Sequence, residues 1–285
     1  MIVQGRLQRF NTIGTQEIIA VEPVMQLAPL SGFLGGELHG GEQVQALERA
    51  WEKQFKVKHA IACNSATSGL LAACVAVGIK NGSKVAVPAL TMSATAAAPA
   101  FLGAEIKFCD GDYESYCLSP VSRSLWEQSY HFDAIIVTNL FGHPSRVQEI
   151  KEIFPDCPII EDNAQAPFAM EGDRYAGTIG HIGVFSLNVH KAIQAGEGGV
   201  IVTEDDELAH RCRLFINHGE LAKDSKTIGL NLRMTELTAA IAAVQLAKGP
   251  EITKGRIEQA EKIMQAIGTI DSLIHPQTRE GCTHV

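Results

Sequence analysis

Short apolar runs recur along the first half of the chain, separated by longer stretches in which apolar residues return every three or four positions. His59–Cys63, Lys84–Val87, Glu105–Cys109, Ala134–Thr138 and Pro158–Glu161 read as buried strands, since runs of this length are too short for helices and too apolar for loops. Between them Ser68–Val77, Thr91–Leu102 and Val147–Phe154 read as helices, the last opened by a Ser145/Gln148 capping box. Strands alternating with helices predict a parallel sheet with crossover helices.

After Asp162 the texture changes. Gly183–Leu187 and Val200–Thr203 are strand-like and are joined by a glycine-bearing segment of hairpin spacing, so the sheet is expected to be mixed. Thr203 is expected to cap a helix that begins acidic at Glu204 and runs to Asn217, where His218-Gly219 stops it. Thr235 and Glu236 open another helix. Gly249-Pro250 then marks a domain boundary, followed by an amphipathic helix with Ile252, Ile257, Ala260, Met264 and Ile267 on one face. The expected division is a large domain over 1–249, with an N-terminal arm, and the start of an incomplete small domain over 250–285. Its end has a turn around Pro276 and Gly281, then a strand-like Cys282–Val285. The glycines at 32, 35, 36, 40 and 41 follow no strand and read as a flexible entry loop.

Composition narrows the classes. The formal net charge is −8 and no Lys/Arg cluster is present to track a phosphate backbone, which argues against nucleic acid as a partner. No apolar run approaches the ~20 residues of a membrane span, and Met1–Phe10 lacks the apolar core of a signal peptide, so the cytoplasm is the expected compartment. Seven cysteines, odd in number and never spaced C-x-x-C, predict reduced, buried thiols rather than disulfides or zinc ligands; no metal site is expected. Walker, HExxH and Rossmann glycine signatures are absent.

The candidate chemistry lies in a weakly charged stretch. Between Tyr175 and Thr203 the only formally charged side chains are Lys191 and Glu197. A partly desolvated lysine keeps more free amine and can attack a carbonyl; a lysine snorkelling from a strand end would look the same in sequence. Asp162 ends an apolar strand, where parallel sheets open onto a ligand crevice, and could hold a buried cation or simply cap a loop. Asn64-Ser65-Ala66-Thr67-Ser68-Gly69 leads from a strand into an Ala/Leu-rich helix, a start suited to an anion such as a phosphate dianion but also to ordinary capping.

Taken in order, Asn64–Thr67, Glu161–Gln165, Phe185–Lys191, Gly196–Gly199, Asn217–Gly219 and Asn231–Leu237 make the chain, from about Leu34 onward, resemble the DegT/DnrJ/EryC1/StrS family of sugar aminotransferases. The resemblance implies a pyridoxal-phosphate-dependent transferase of fold type I, a three-layer α/β/α domain on a mixed, mostly parallel sheet, lacking most of the C-terminal small domain. It implies that Lys191 forms the Schiff base with pyridoxal 5′-phosphate and later shuttles the proton, as nucleophile and general acid/base. It further implies that Asp162 pairs with the pyridinium nitrogen and Gln165 meets the phenolic-oxygen side of the ring. Ser186 and the Ser65-Ala66-Thr67 turn would hold the phosphate, and Asn231 would reach the phosphate of a neighbouring subunit in a homodimer. Met92 stands where the family usually stacks an aromatic ring, and Ala192 where an asparagine often follows the lysine. The implied reaction carries an amino group from glutamate to a keto-sugar nucleotide in amino-sugar biosynthesis. Two alternatives are a dehydratase of the same family, in which the lysine position is typically histidine, and a non-catalytic cofactor-binding or regulatory homologue.

Overall fold

The computed structural model describes residues 11–27, 29–33, 38–122, 131–220, 228–268, 270 and 276–285. Seven strands form one sheet: β1 (His59–Cys63), β2 (Lys84–Pro88), β3 (Glu105–Cys109), β4 (Ala134–Thr138), β5 (Ile159–Asp162), β8 (Ile182–Ser186) and β9 (Gly199–Thr203), in the spatial order β1-β9-β8-β5-β4-β2-β3. From β8 to β3 every neighbour is parallel; β9 alone runs against both of its neighbours. The expected mixed, mostly parallel sheet is what forms. A separate two-stranded hairpin joins β6 (Met170–Glu171) to β7 (Arg174–Tyr175).

Successive strand residues point to opposite faces, and the chain uses apolar residues on both. Ile61, Ile136, Val184 and Ile201 look into one core, closed by α3 (Ala66–Ala76), α4 (Ser93–Phe101) and α6 (Asp206–Ile216). Ala60, Phe185, Val200 and Val202 look into the other, closed by α2 (Glu42–Phe55) and α7 (Glu236–Ile267), while Ile135 and Val137 continue it beneath α5 (Val147–Ile153). This is the three-layer α/β/α arrangement. Under β8 the rings of Trp51, Phe55 and Phe185 meet with centroids 4.8 to 5.3 Å apart, fixing the strand that leads to Lys191.

Four local expectations change. β3 is not buried: it is the sheet's edge, and Phe108 on it is 58% exposed. Ser145 does not cap α5, because its hydroxyl donates to the Thr138 carbonyl and its N–H to Asn139 Oδ1, a long-range network that outcompetes the local box. Thr203 does not cap α6; Asp205 does, accepting from the Glu207 and Leu208 N–H groups, and Thr203 donates to the His181 carbonyl instead. Gly249-Pro250 does not interrupt the helix, which runs on as α7 to Ile267. Gly249 serves a close approach: a Cβ there would lie 2.4 Å from the Phe168 ring.

The pattern also passed over α1 (Thr15–Leu27), α2, and the β6–β7 hairpin. Gly35, Gly36, Met1–Phe10 and Leu34 lie outside the described residues, but the remaining glycines of the expected entry loop are engaged. The Gly41 and Gln43 N–H groups donate to the two carboxylate oxygens of the buried Glu236, fastening the start of α2 to the start of α7. Cys282–Val285 forms no strand of its own; Cys282 makes one bridge with Glu171, and the Thr283 and Val285 N–H groups bond to the carbonyls of Met170 and Gly142. Six of the seven cysteines are buried and none is bridged, as expected; burial pushes the thiols of Cys63, Cys74, Cys157 and Cys212 up to about 12.

Candidate active site

Strands that run parallel carry their carboxyl ends to one edge, and the loops leaving that edge hold most of the predicted residues. The ends of β4, β5 and β8 are locked by register, Thr138 opposite Asp162 and Asp162 opposite Val184. Asp162 is buried, with Oδ2 accepting from the Thr95 hydroxyl at 2.7 Å and Oδ1 from the Ala164 N–H at 3.2 Å. Burial pushes its carboxyl upward, opposed by the Thr95 and Ala164 hydrogen bonds and by the charge of Lys191. A buried carboxylate with so few donors is a site for a cation.

Lys191 lies in the hairpin between β8 and β9. Backbone hydrogen bonds from Leu187 to Gly198, Val189 to Gly196, Lys191 to Asn188 and Ala195 to Leu187 close that loop on itself. Glu197, the other charged residue of the stretch, accepts from Asn188 Nδ2 on the exposed side. The Lys191 amine is only partly exposed; desolvation lowers its pKa and the charge of Asp162 works the other way. A larger share of free amine follows, which is what a nucleophile needs.

The Asn64–Thr67 turn behaves as a helix start with room for an anion. Ser65 is the N-cap of α3, its Oγ accepting from the Ser68 N–H at 3.1 Å and donating to Ser68 Oγ. Gly69 N–H returns to the Ser65 carbonyl, so of the first-turn amides those of Ala66 and Thr67 have no acceptor among the described residues. Ser65 thus contributes its cap rather than a free hydroxyl. Ser186 lies opposite Gly199 in the β8–β9 ladder, and Gly199 opposite Cys63 in the next. A Cβ on Gly199 would stand 2.6 Å from the Ala66 nitrogen, so only glycine leaves the cradle between Ser186 and the turn open.

A cavity of about 260 Å³ opens beside the lysine, lined among others by Phe141, Gln165, His190, Lys191, Arg256 and Val285. Gln165 Oε1 accepts from the Phe141 N–H at 2.9 Å, which fixes its amide at the cavity wall. Met92, at the start of α4, is 66% exposed, and so is not core filler. Asn231 is exposed and outside that cavity, on the segment whose next residue, Leu232, accepts the Asn64 N–H through its carbonyl. Ala192 is buried in the cavity wall.

The residues alone do not mark Thr91, Thr95, Thr138 or Arg256, and His190 is marked only as the neighbour of the lysine position. A threonine in an Ala-rich helix, another just ahead of it, a third at a strand end and an arginine on an exposed helical face carry no local signal; their roles come from contacts across the fold. Among the described residues no cluster of His, Cys, Asp and Glu could hold a metal ion, and no helix is long and apolar enough to cross a membrane.

The family model described as the DegT/DnrJ/EryC1/StrS aminotransferase family matches residues 31–285. The GDP-perosamine synthase of Escherichia coli O157:H7 is 32% identical over 246 residues, 84% of this chain and 67% of that protein; that of Caulobacter vibrioides is 34% identical over 74% of this chain and 58% of its own. The chain therefore spans about three fifths to two thirds of the curated relatives' length. An aminotransferase of this family from Brucella abortus superposes with a TM-score of 0.84 at 28% identity, covering 94% of this chain and 72% of its own. The E. coli GDP-4-keto-6-deoxy-D-mannose-3-dehydratase, solved with bound hydrated PLP, superposes with a TM-score of 0.83 at 26% identity, covering 94% and 74%.

Proposed function

The chain belongs to the DegT/DnrJ/EryC1/StrS aminotransferase family, and from that premise we propose that it transfers an amino group from glutamate to a keto-sugar nucleotide, with Lys191 as the reacting amine. The cofactor is pyridoxal 5′-phosphate. The observation that carries the reading is the pairing of a desolvated lysine with a buried carboxylate that has few donors, beside a helix start with two amides that have no acceptor among the described residues.

Those residues fit the group. Asp162 would face its ring nitrogen, the Ala66 and Thr67 amides with Ser186 its phosphate, Gln165 its phenolic oxygen and Met92 its ring face, a contact a thioether can make. When bound, the cofactor supplies an electron sink for breaking the bond to hydrogen beside the amino nitrogen. Lys191 then takes and returns that proton, and the anchored hairpin keeps its amine near the reacting carbon. Gln165, His190 and Arg256 line the cavity beside Lys191, and His190 and Arg256 would face the substrate there. Asn231, exposed on its own chain, serves the phosphate of a second copy in a homodimer, and the half of α7 beyond Pro250 begins the small domain.

Adding pyridoxal phosphate to the purified chain should produce a visible absorption band that glutamate bleaches, and Lys191→Ala should lose both, with transamination down by at least ~10³-fold. Full transamination by Lys191→Ala would sink the proposal. The dehydratase likeness supports a second reading, separated by product: a keto-sugar that loses hydroxyl without gaining nitrogen.

A further inference from the structure

Thr95 is fully buried in α4 and gives its one hydroxyl proton to Asp162 Oδ2. With that proton committed, the 2.7 Å contact between Thr91 Oγ1 and Thr95 Oγ1 needs Thr91 as donor. The 2.9 Å contact between Thr91 and Thr138 then needs Thr138 as donor. Three hydroxyls therefore point their protons one way, Thr138 to Thr91 to Thr95 to Asp162, and that polarity is the one an ionised carboxylate on Oδ2 enforces. Thr138 Oγ1 ends the chain on β4, directly opposite Asp162 in the strand register.

We propose that this threonine relay positions the Asp162 carboxylate for the cofactor's ring nitrogen and ties it to the turn that presents Met92. The inference rests on the function proposed above. Thr91 precedes Met92, and the Thr95 N–H donates to the Met92 carbonyl at 3.1 Å, so the same few bonds set both the counter-ion of the ring nitrogen and the side chain at the ring face. Aligned hydroxyl dipoles also stabilise charge at the end of the chain, in a place where burial opposes it. Lys191, from the facing hairpin, is the charged side chain that acts on Asp162; Glu161, adjacent on β5, turns to the other face of the sheet. Thr95 and Thr91 are positioning residues, since neither needs to touch substrate.

Three variants test the relay: Thr95→Val, which keeps shape and removes the hydroxyl, Thr95→Ser, which restores it, and Thr91→Val. Pyridoxal phosphate titrated into the cofactor-free protein should bind Thr95→Val about ten-fold or more weakly and Thr91→Val less severely so, with Thr95→Ser near the parent. Urea unfolding of the cofactor-free proteins across pH supplies a readout that packing alone would not move. Asp162 is raised by burial, so it favours the fold when protonated and this contribution fades as pH climbs through its folded pKa. Losing the Thr95 hydroxyl raises that pKa further, and the stability gap between Thr95→Val and the parent should widen as pH rises through the parent's value. Unchanged cofactor affinity, a gap equal at every pH, or failure of Thr95→Ser to rescue would overturn the relay. A parent chain that takes up no pyridoxal phosphate would overturn the functional reading instead, while the pH signature of the cofactor-free protein still decides the relay.

Discussion

Glu161 and Asp162 are neighbours on one strand, both buried, and they live in opposite circumstances. Glu161 is surrounded by donors: the N–H groups of Gly177, Ile179 and Gly180 at 2.5 to 2.7 Å and Asn139 Nδ2 at 3.0 Å. Among the described residues Asp162 has one hydroxyl, one amide and the charge of Lys191. The period-two geometry of a strand sends one carboxylate into scaffolding and its neighbour to the opposite face, toward Thr95 on α4. A saturated carboxylate holds the fold; an under-coordinated one keeps acceptor capacity that a ligand could use.

Asp162→Asn is expected to lower kcat by ~10²- to 10⁴-fold while leaving urea stability equal to or above the parent, since a desolvated charge disappears without orphaning many donors. Equal activity in steady-state assays would erase the contrast. Glu161→Gln should do the reverse and cost stability, about 2–4 kcal/mol in urea unfolding, because a side-chain NH₂ would be pressed against backbone N–H groups. A smaller effect is expected at Glu17. Burial opposes its ionisation, but hydrogen bonds from Lys248, Gln245 and the Gly14 N–H hold its carboxyl down at about 2. Its stabilisation is present above the ordinary value of 4.5 and is lost as pH falls toward 2, opposite in sign to Asp162. Glu17→Gln should therefore cost about 1–3 kcal/mol at neutral pH and nothing at the acid end, read from unfolding midpoints across pH.

How visible these features were in sequence depends on the range of the interactions that made them. β1, β2, β4, β5, β8 and β9 announce themselves because a strand buried on both faces is built mainly of apolar residues, and Lys191 stands out because that same pressure empties its surroundings of charge. α2 carried an apolar stripe at Val44, Leu47, Trp51 and Phe55 that a periodicity count would have caught. Local rules misled at Ser145, whose partners on β4 and Asn139 are seen only once the sheet assembles, and at Gly249, where a packing glycine resembles a breaker. Thr95 could not be found at all from its neighbours, since what distinguishes it is a carboxylate 67 positions away.

The reversed strand β9 has a kinetic meaning. Most loops at this edge connect a strand to a helix, and a helix that shifts carries its loop along. The lysine loop is different, because both of its ends are rungs of the same sheet, Ser186 opposite Gly199. A shift of the helices packed on either face would leave this loop tied to the sheet that carries Asp162. Under the proposed function, the Lys191 loop is thus anchored through β8 and β9 to that sheet, and its placement is settled as the sheet folds rather than sought at each catalytic cycle.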